Sequence, residues 1–334
     1  MTKEKNCDKI ILTFTMNDKY QFEDLEYFIS FDQIIYFVKG PYHPPGYVFA
    51  YPVFWPDKNG DRVHPRLGCF KKEVSDFNEK IFTIHPEYRH NGIPSNTPLI
   101  PHDHIIEIFK PRNRIQSFLE QEKETIWHRI FSYLTDRLKI PKEDIGIFGS
   151  YLVELHKNKD GRQIKDIDFA IYGLSNLIKI KQGIEDLLNY FGFTHISRNH
   201  IDYHIQKFGA LFDARVNSFE KTLANKWSSI QIMPGILDTL RFVYKPEEIP
   251  DNPIISEIKG PIQIEGVVED DIGTNFMPRV FTIKSAGKRF RIVTYFWAFQ
   301  SCVKNGDRCL ITGDFHKDGW TISVDKSSHG IKIL

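Results

Sequence analysis

Short apolar runs bounded by glycine and proline dominate the first third of the chain. The runs at residues 34–38 and 47–54 are punctuated by Gly-Pro and Pro-Pro-Gly, a pattern that predicts short strands. Asn59-Gly60-Asp61 predicts a turn between two strands. We therefore expect a β-rich N-terminal domain over residues 1–115.

Helical and strand periods alternate in the middle third. Between residues 117 and 138, apolar residues recur every four positions, which predicts one amphipathic helix that ends before Pro141. The pattern then predicts a strand at 145–148, a short helix at 151–156, a strand at 167–172 and a helix at 177–190. Residues 116–250 are therefore predicted to form an α/β domain.

Five short apolar runs follow a proline-punctuated link near the C-terminus. They lie at residues 262–268, 279–283, 289–295, 308–313 and 320–324. Five closely spaced strands suit a small barrel, and the oligonucleotide-binding (OB) barrel is the commonest such shape. A small β-sandwich is the alternative that the pattern leaves open. We expect an OB-like β-barrel over residues 251–334.

Composition narrows the class of protein but not its partner. The chain has 334 residues, of which 41% are hydrophobic and 26% charged, values that are ordinary for a globular protein of two or three domains. Its formal net charge is +1, so any contact with nucleic acid needs a local excess of positive charge. Because no signal peptide or long apolar run is evident, we expect a cytoplasmic protein without a membrane partner.

Cysteine and histidine spacing gives no metal-binding pattern. The cysteines contain no CxxC pair, which argues against a structural zinc site. They are Cys7, Cys69, Cys302 and Cys309. Two histidine pairs lack a Cys or acidic partner at ligand spacing, so we expect loop or half-buried histidines there. The pairs are His102 with His104, and His200 with His204.

One segment combines a glycine-serine turn with a pair of carboxylates. Gly149-Ser150 ends one predicted strand, and Asp166 and Asp168 open the next. Side chains alternate along a strand, so the two carboxylates point to one side. Ile167 and Phe169 then face the core. Carboxylates about 4 Å apart repel by roughly 4 kcal/mol at an effective dielectric of about 20, and a divalent cation between them would offset this repulsion. Mg²⁺ prefers such oxygen ligands.

The turn itself suits a phosphate. Gly149 leaves room for the backbone to approach one, and Ser150 can donate hydrogen bonds from its hydroxyl and amide at the start of the predicted helix, where anions are favoured. A phosphate holder beside a metal pair is the apparatus of phosphoryl chemistry.

These residues resemble the signature of nucleotidyltransferases of the polymerase-β superfamily: a hydrophobic strand, Gly-Ser, a helix, then Asp-x-Asp between hydrophobic residues. The order of elements follows that family over residues 117–217. The resemblance implies an α/β nucleotidyltransferase core, with a mixed sheet and helices, and Mg²⁺-dependent transfer of a nucleoside monophosphate from a nucleoside triphosphate. Asp166 and Asp168 would hold the metal, while Gly149 and Ser150 would bind the nucleotide. Fifteen residues separate Ser150 from Asp166, somewhat more than the family usually shows.

The family also places a third carboxylate on a following strand. Asp213, in the apolar run at 211–216, is the first choice, and Asp238 is the alternative. The resemblance implies that this carboxylate helps to activate the acceptor hydroxyl. If neither residue fills the role, the enzyme would be weakened or inactive.

RNA is the favoured acceptor because basic residues combine with aromatic ones in the predicted barrel, a combination typical of single-strand binding. These residues are Lys284, Lys288, Arg289, Arg291, Tyr295, Phe296 and Trp297. The alternatives are transfer to a protein hydroxyl, and a non-catalytic nucleic-acid-binding protein on a degenerate nucleotidyltransferase fold. Lys221 and Lys226 are interpreted as solvated helix lysines rather than phosphate ligands.

A looser resemblance links the chain to a group of prokaryotic, notably archaeal, proteins. They join a nucleotidyltransferase domain to an N-terminal segment with a Lys-Gly-x-x-His-Pro-Pro-Gly run, here Lys39 to Gly46. This resemblance implies no particular substrate. The run itself is compatible with a binding loop or with a proline-stiffened turn.

Overall fold

The computed structural model describes residues 22–73, 77–89, 97–121, 123–162, 167–208, 226–233, 236–251, 257–296, 299–326 and 328–334. Within these ranges the chain is rich in strands, has few helices and forms three sheets. No helix in these ranges is long and apolar enough to span a membrane.

The first sheet has the strand order β4-β5-β3-β2-β1-β7, with β6 paired to β3. Its strands are β1 (Tyr27–Ser30), β2 (Ile35–Val38), β3 (Tyr47–Pro56), β4 (Arg62–His64), β5 (Gly68–Lys72), β6 (Leu99–Pro101) and β7 (Ile105–Phe109). Helix α1 (Phe77–Ile84) buries Ile81 and Phe82 in a core with Phe28 and Tyr36 of this sheet. Strands β2 and β3 correspond to the two predicted ones, and residues 57–61 turn between β3 and β4 as expected.

The second sheet has the order β10-β11-β12-β9-β8 and is mixed, because β9 pairs antiparallel with β8 and parallel with β12. Its strands are β8 (Ile145–Phe148), β9 (Asp168–Tyr172), β10 (Thr194–His195), β11 (Ser229–Met233) and β12 (Ile236–Val243). The helices of this region are α2 (Pro111–Gln121), α3 (Ile126–Ser132), α4 (Leu174–Phe191) and α5 (Arg198–Phe208). A mixed sheet with helices was predicted here. That it is a nucleotidyltransferase core stays a prediction.

The predicted single helix over 117–138 is wrong, because the region forms two helices, α2 and α3, that are interrupted between Gln121 and Ile126. Glu124 has a left-handed backbone (φ +66°), and the Thr125 side chain caps α3 by accepting from the His128 amide. A π-helical turn, Tyr133–Arg137, follows α3. Ile130 and Leu134 are fully buried, so the apolar spacing did identify the buried face.

The predicted short helix at 151–156 is also wrong. Residues 149–154 form turns, and Glu154 has a left-handed backbone (φ +55°). Tyr151 packs in the core beneath the helices, whereas Leu155 packs in the core on the opposite side of the sheet. One helical turn would place residues i and i+4 on the same face, so two separate cores exclude the helix.

The two faces of the second sheet belong to different cores. Phe169 and Ile171 of β9 pack with the helices. Ala170 and Tyr172, which point the other way, pack with Tyr27 and other residues of the first sheet. The first two sheets therefore share one hydrophobic core.

The third sheet closes on itself as a five-stranded barrel. The ring runs β13-β14-β15-β17-β16 and returns to β13, with β15 and β17 parallel and β18 added on the outside of β16. The strands are β13 (Ile258–Asp270), β14 (Arg279–Ser285), β15 (Lys288–Thr294), β16 (Arg308–His316), β17 (Thr321–Ser323) and β18 (Gly330–Ile333). The closed ring of strands confirms the predicted barrel and excludes the alternative, a small β-sandwich. Strand β18 was not predicted.

Candidate functional site

Gly149 lies directly against the carboxylate of Asp168. Strand β8 ends at Phe148, whose Cα pairs with that of Asp168 on β9, and Gly149 then turns the chain with a positive φ of +74°. A Cβ atom on residue 149 would lie 2.8 Å from the Oδ2 atom of Asp168. Glycine is therefore required here both for its backbone conformation and for the space that the carboxylate occupies.

Asp168 opens β9 on the face that looks toward the first sheet. Its neighbours Ile167 and Phe169 are buried in the helix-side core, as the alternation predicted. The Asp168 side chain is half-buried. Its charge acts on the buried phenol of Tyr27, whose pKa is raised mainly by burial and further by Tyr51 and Asp168. This places Asp168 at the edge of the core that the two sheets share.

The other predicted carboxylates are described less fully. Asp166 and Asp213 lie outside the described residues, and their roles stay predictions. For Asp238 the structure gives the backbone, which belongs to β12 and pairs with Ile230 of β11. Because β12 runs parallel to β9, Asp238 is on the strand next to Asp168.

Arg241 lies on the same face of the second sheet as Asp168, and the sequence analysis missed it. The Cα of Arg241 pairs with that of Ala170, and Val243, two residues on, packs in the core shared with the first sheet. Arg241 is therefore on the same face as Asp168. Strands lie about 4.8 Å apart and rise about 3.3 Å per residue, so the two Cα atoms are separated by roughly 8 Å. The alternation of side chains along residues 240–243 could have indicated which face of a strand Arg241 occupies, but not that the adjacent strand carries Asp168.

Ser150 is half-buried, and its carbonyl accepts from the Leu155 amide at 2.8 Å. Because residues 149–154 form turns, the expected helix N-terminus behind Ser150 is absent from this part of the described chain. Any anion held at Gly149 and Ser150 would meet turn amides rather than a helix dipole.

Lys226 is buried, not solvated as the sequence suggested. Its side chain has 8% exposure, and burial lowers its pKa to about 7, with further lowering by Arg241 and Arg279. A lysine at this position therefore lies among other cations. Lys221 lies outside the described residues.

The donor chemistry at Asp168 fits Mg²⁺. A half-buried carboxylate at a strand end supplies the hard oxygen ligand that Mg²⁺ takes. Among the residues that the structure describes, no three His, Cys, Asp or Glu side chains group to hold a metal ion. The rest of the predicted ligand set, Asp166, lies outside those residues.

The histidines engage in local contacts. His104 Nδ1 lies 2.6 Å from the Tyr88 hydroxyl, and the His102 ring packs against Phe22 at 5.5 Å between centroids. The side chains of His200 and His204 lie outside the described atoms.

The Lys39–Gly46 run contacts segments that flank each of the three sheets. Lys39 is buried, donates to Thr97 Oγ1 at 3.2 Å, and lies 5.9 Å from the ring centroid of Tyr295 in the barrel. The Gly40 amide donates to Asp24 Oδ1 at 2.8 Å. The Tyr42 hydroxyl donates to the Pro250 carbonyl. The Tyr47 amide also donates to the Pro44 carbonyl at 3.0 Å, so the contacts favour the proline-stiffened turn over a free binding loop.

The barrel residues chosen for RNA stacking are placed differently from the prediction. Tyr295 is buried, Phe296 is half-buried against the barrel core, and Trp297 lies outside the described residues. Glu269 pairs with Arg289 at 2.7 Å and lies 4.0 Å from Lys284, so carboxylate offsets part of the positive charge. Lys288 is exposed.

A different aromatic residue is available at the barrel surface. Trp320 is 42% exposed, in the turn between β16 and β17. The guanidinium of Arg291 on β15 lies 4.1 Å from the centroid of its ring. This residue was missed because a strand was predicted to begin at residue 320, which assigned Trp320 to the barrel wall and not to an exposed turn.

No family model, no curated protein and no solved structure matches this chain.

Proposed function

We propose that this chain is a nucleotidyltransferase, which transfers a nucleoside monophosphate from a nucleoside triphosphate to an acceptor hydroxyl on a core of the polymerase-β type. The observation that carries the proposal is the contact between Gly149 and the Asp168 carboxylate. Two motifs that lie 18 residues apart, a glycine-serine turn and a strand-opening aspartate, meet at one point.

The reaction is an in-line displacement at the α-phosphorus. The acceptor oxygen forms a bond to this phosphorus, the bond to the bridging oxygen breaks, and pyrophosphate leaves. The hydroxyl proton passes to the third carboxylate, Asp213 or Asp238. Strand β12 runs parallel and adjacent to β9, but its register aligns Thr239 with Asp168 and Asp238 with Ile167, so the strand pairing does not favour Asp238 over Asp213.

The residues of the chain supply position and charge. Gly149 and Ser150 would hold the triphosphate through backbone and hydroxyl donors at the turn. Asp166 and Asp168 would hold Mg²⁺, which when bound would neutralise charge on the phosphates and lower the pKa of the attacking hydroxyl. Catalysis of this kind depends on positioning and charge rather than on covalent chemistry by the protein.

RNA is the proposed acceptor. In the barrel, β13 pairs with β14 and β16, and β15 runs parallel to β17. With β13 counted as the first strand, this order supports an OB-like barrel. OB barrels bind strands through the face of their second and third strands and through the loop that joins the fourth to the fifth. Arg291 and Trp320 occupy those positions here.

The test is transfer of label from α-labelled nucleoside triphosphates, with Mg²⁺, into RNA and protein fractions. We expect Asp168→Asn to reduce the rate about a thousandfold, a barrier increase of roughly 4 kcal/mol. Asp160→Asn is the matched control, because Asp160 is an exposed carboxylate in the preceding loop. Equal rates for wild type and Asp168→Asn would contradict the proposal. No label from the wild type with any nucleotide or acceptor would favour the non-catalytic nucleic-acid-binding alternative.

A further inference from the structure

The turn that begins at Gly149 is closed by its own backbone. The Leu155 amide donates to the Ser150 carbonyl at 2.8 Å. The Glu154 amide donates to the Tyr151 carbonyl at 3.3 Å. Glu154 has a left-handed backbone with a φ of +55°, a conformation that few residues other than glycine adopt. A residue keeps such a conformation when the surrounding structure holds it there. The contacts of this turn with the rest of the protein therefore determine its shape.

An ion pair holds the side chain of Glu154. The Nη1 atom of Arg114, in α2, lies 3.2 Å from Oε1, and the two side chains are only 18% and 30% exposed. On the other side, Nε2 of His64, in β4, lies 3.8 Å from Oε2. Burial lowers the pKa of His64, and its Nδ1 atom accepts from two backbone amides, so the neutral ring carries its proton on Nε2. Glu154 therefore lies between a cation and a polar N–H group.

The first sheet holds the residues that follow. Arg62 donates from Nη1 to the Leu155 carbonyl at 3.2 Å and pairs with Asn158 in an isolated β-bridge. The Val63 amide donates to the Lys157 carbonyl at 3.1 Å. Three apolar residues of the turn pack in the core shared with the first sheet: Leu152, Val153 and Leu155. The first sheet and α2 together therefore fix the turn from two sides.

We propose that Arg114 and Glu154 are positioning residues for nucleotide binding: their ion pair holds the turn at Gly149 and Ser150 in the conformation that receives the triphosphate. A turn that is ordered before the ligand arrives loses less conformational entropy on binding, which increases affinity. The inference rests on the proposed function, because it concerns the same site. It gives α2 and the first sheet a part in binding the nucleotide, although neither side chain of the pair needs to touch it.

The experiment measures the affinity of the full chain for the Mg²⁺ complexes of α,β-methylene nucleoside triphosphates of all four bases, by calorimetry. In these probes a methylene group replaces the bridging oxygen at which transfer would break the bond. We expect Arg114→Gln to raise Kd at least about fivefold. In the transfer assay KM should rise by the same factor with kcat changed less than about twofold, because the turn holds the phosphates alike before and during the reaction.

Arg66→Gln is the matched control. Arg66 forms an exposed ion pair with Glu107, 3.0 Å away, within the first sheet, so this variant loses the same charge and a comparable pair outside the turn. It should bind the probes as the wild type does. An affinity loss in Arg66→Gln as large as that in Arg114→Gln would overturn the inference, because it would indicate only a general effect of positive charge.

A double-variant cycle separates positioning from a general loss of stability. Glu154→Gln should raise Kd as Arg114→Gln does, and the two changes together should raise it no further, because both remove the same pair. Arg114→Lys keeps a cation for the carboxylate and should recover most of the affinity. Effects of the two glutamine variants that multiply in the double variant would overturn the inference.

Unchanged affinity in Arg114→Gln would also overturn it. If Arg114→Gln does not unfold cooperatively, Glu154→Gln takes its place with the same expectation. The outcomes are separable from the proposed function. Probe binding that weakens in Arg114→Gln, without label transfer by the wild type, would retain the positioned turn and reject the enzyme. Label transfer with an unchanged KM in Arg114→Gln would retain the enzyme and reject the inference, whereas a wild type that neither binds nor transfers would reject both.

Discussion

A Cβ atom on residue 149 would lie 2.8 Å from Oδ2 of Asp168, so the two residues keep their positions only if residue 149 is glycine. The positive φ of Gly149 adds a second requirement. Space for a carboxylate and freedom of the backbone therefore coincide at the point where the proposed substrate binds.

Gly149→Ala should lower both stability and transfer activity. The left-handed backbone costs an L-residue about 1–2 kcal/mol, and the methyl group would displace the Asp168 carboxylate. A misplacement of about 1 Å in a reacting geometry can reduce a rate by about 100-fold. Gly161→Ala is the control, because Gly161 has a similar φ of +72° and nothing within 4 Å of the added Cβ. A loss of activity as large in Gly161→Ala would show that backbone strain, not the contact, is responsible.

The α3 cap should be measurable in isolation from the site. Thr125→Ala removes the acceptor for the His128 amide and should lower the free energy of unfolding by about 1 kcal/mol. Chemical denaturation measures this. Thr83→Ala is the comparison, since the exposed Thr83 hydroxyl donates only to the Glu79 carbonyl within α1, and its removal should be nearly neutral. A neutral Thr125→Ala would contradict the assigned cap.

Glu26 should make stability depend on pH. Burial raises the pKa of its carboxyl to about 7 from 4.5, although Lys110 lies 3.3 Å away and lowers it. The folded state then binds more protons than the unfolded state between these values, so this contribution to stability is present below pH 4.5 and is lost as pH rises through about 7.

Glu26→Gln should therefore stabilise the protein more at pH 8 than at pH 5, by a difference of about 2 kcal/mol in the free energy of unfolding. Urea titrations at both pH values measure it. Glu79→Gln, which breaks an exposed ion pair with Arg89, should show no comparable difference. The same gain at both pH values for Glu26→Gln would refute the assignment.

Trp320 should matter for the acceptor and not for the nucleotide. Trp320→Ala should weaken binding of single-stranded RNA by about 1–3 kcal/mol through loss of base stacking, while Trp320→Phe retains most of it. Fluorescence anisotropy with labelled RNA measures both variants. If Trp320→Ala binds RNA as the wild type does, the barrel surface at Arg291 and Trp320 is not the acceptor site.

Sequence patterns correctly predicted those features that depend on residues close together in the sequence. The strand at 145–148, its end at Gly149 and the long helix ending near residue 190 follow from apolar spacing and a glycine, and they match β8 and α4. The closed barrel follows from the spacing of its strands. The break at Glu124 was missed because the apolar periodicity continues through it, although Thr125 caps the start of a new helix.

The parts of the site that depend on strand pairing could not be predicted. Arg241 lies on the same face as Asp168 only because β12 pairs with β9 across about seventy residues of sequence, a relation that no local pattern contains. The surroundings of Lys226 were missed for the same reason: besides burial, the two groups that lower its pKa, Arg241 and Arg279, belong to β12 and to the barrel. Polar residues inside a fold are placed by tertiary contacts, and their spacing along the chain resembles that of surface residues.

The most direct measurement compares α-labelled with γ-labelled nucleoside triphosphate under the same conditions, with RNA as acceptor. A nucleotidyltransferase moves the α-phosphorus to the acceptor and releases the γ-phosphorus in pyrophosphate. We predict label in the RNA from the α-labelled nucleotide alone, lost in Gly149→Ala and retained in Gly161→Ala. Label that enters the acceptor from the γ-position instead would contradict nucleotidyl transfer and assign a kinase reaction to the site.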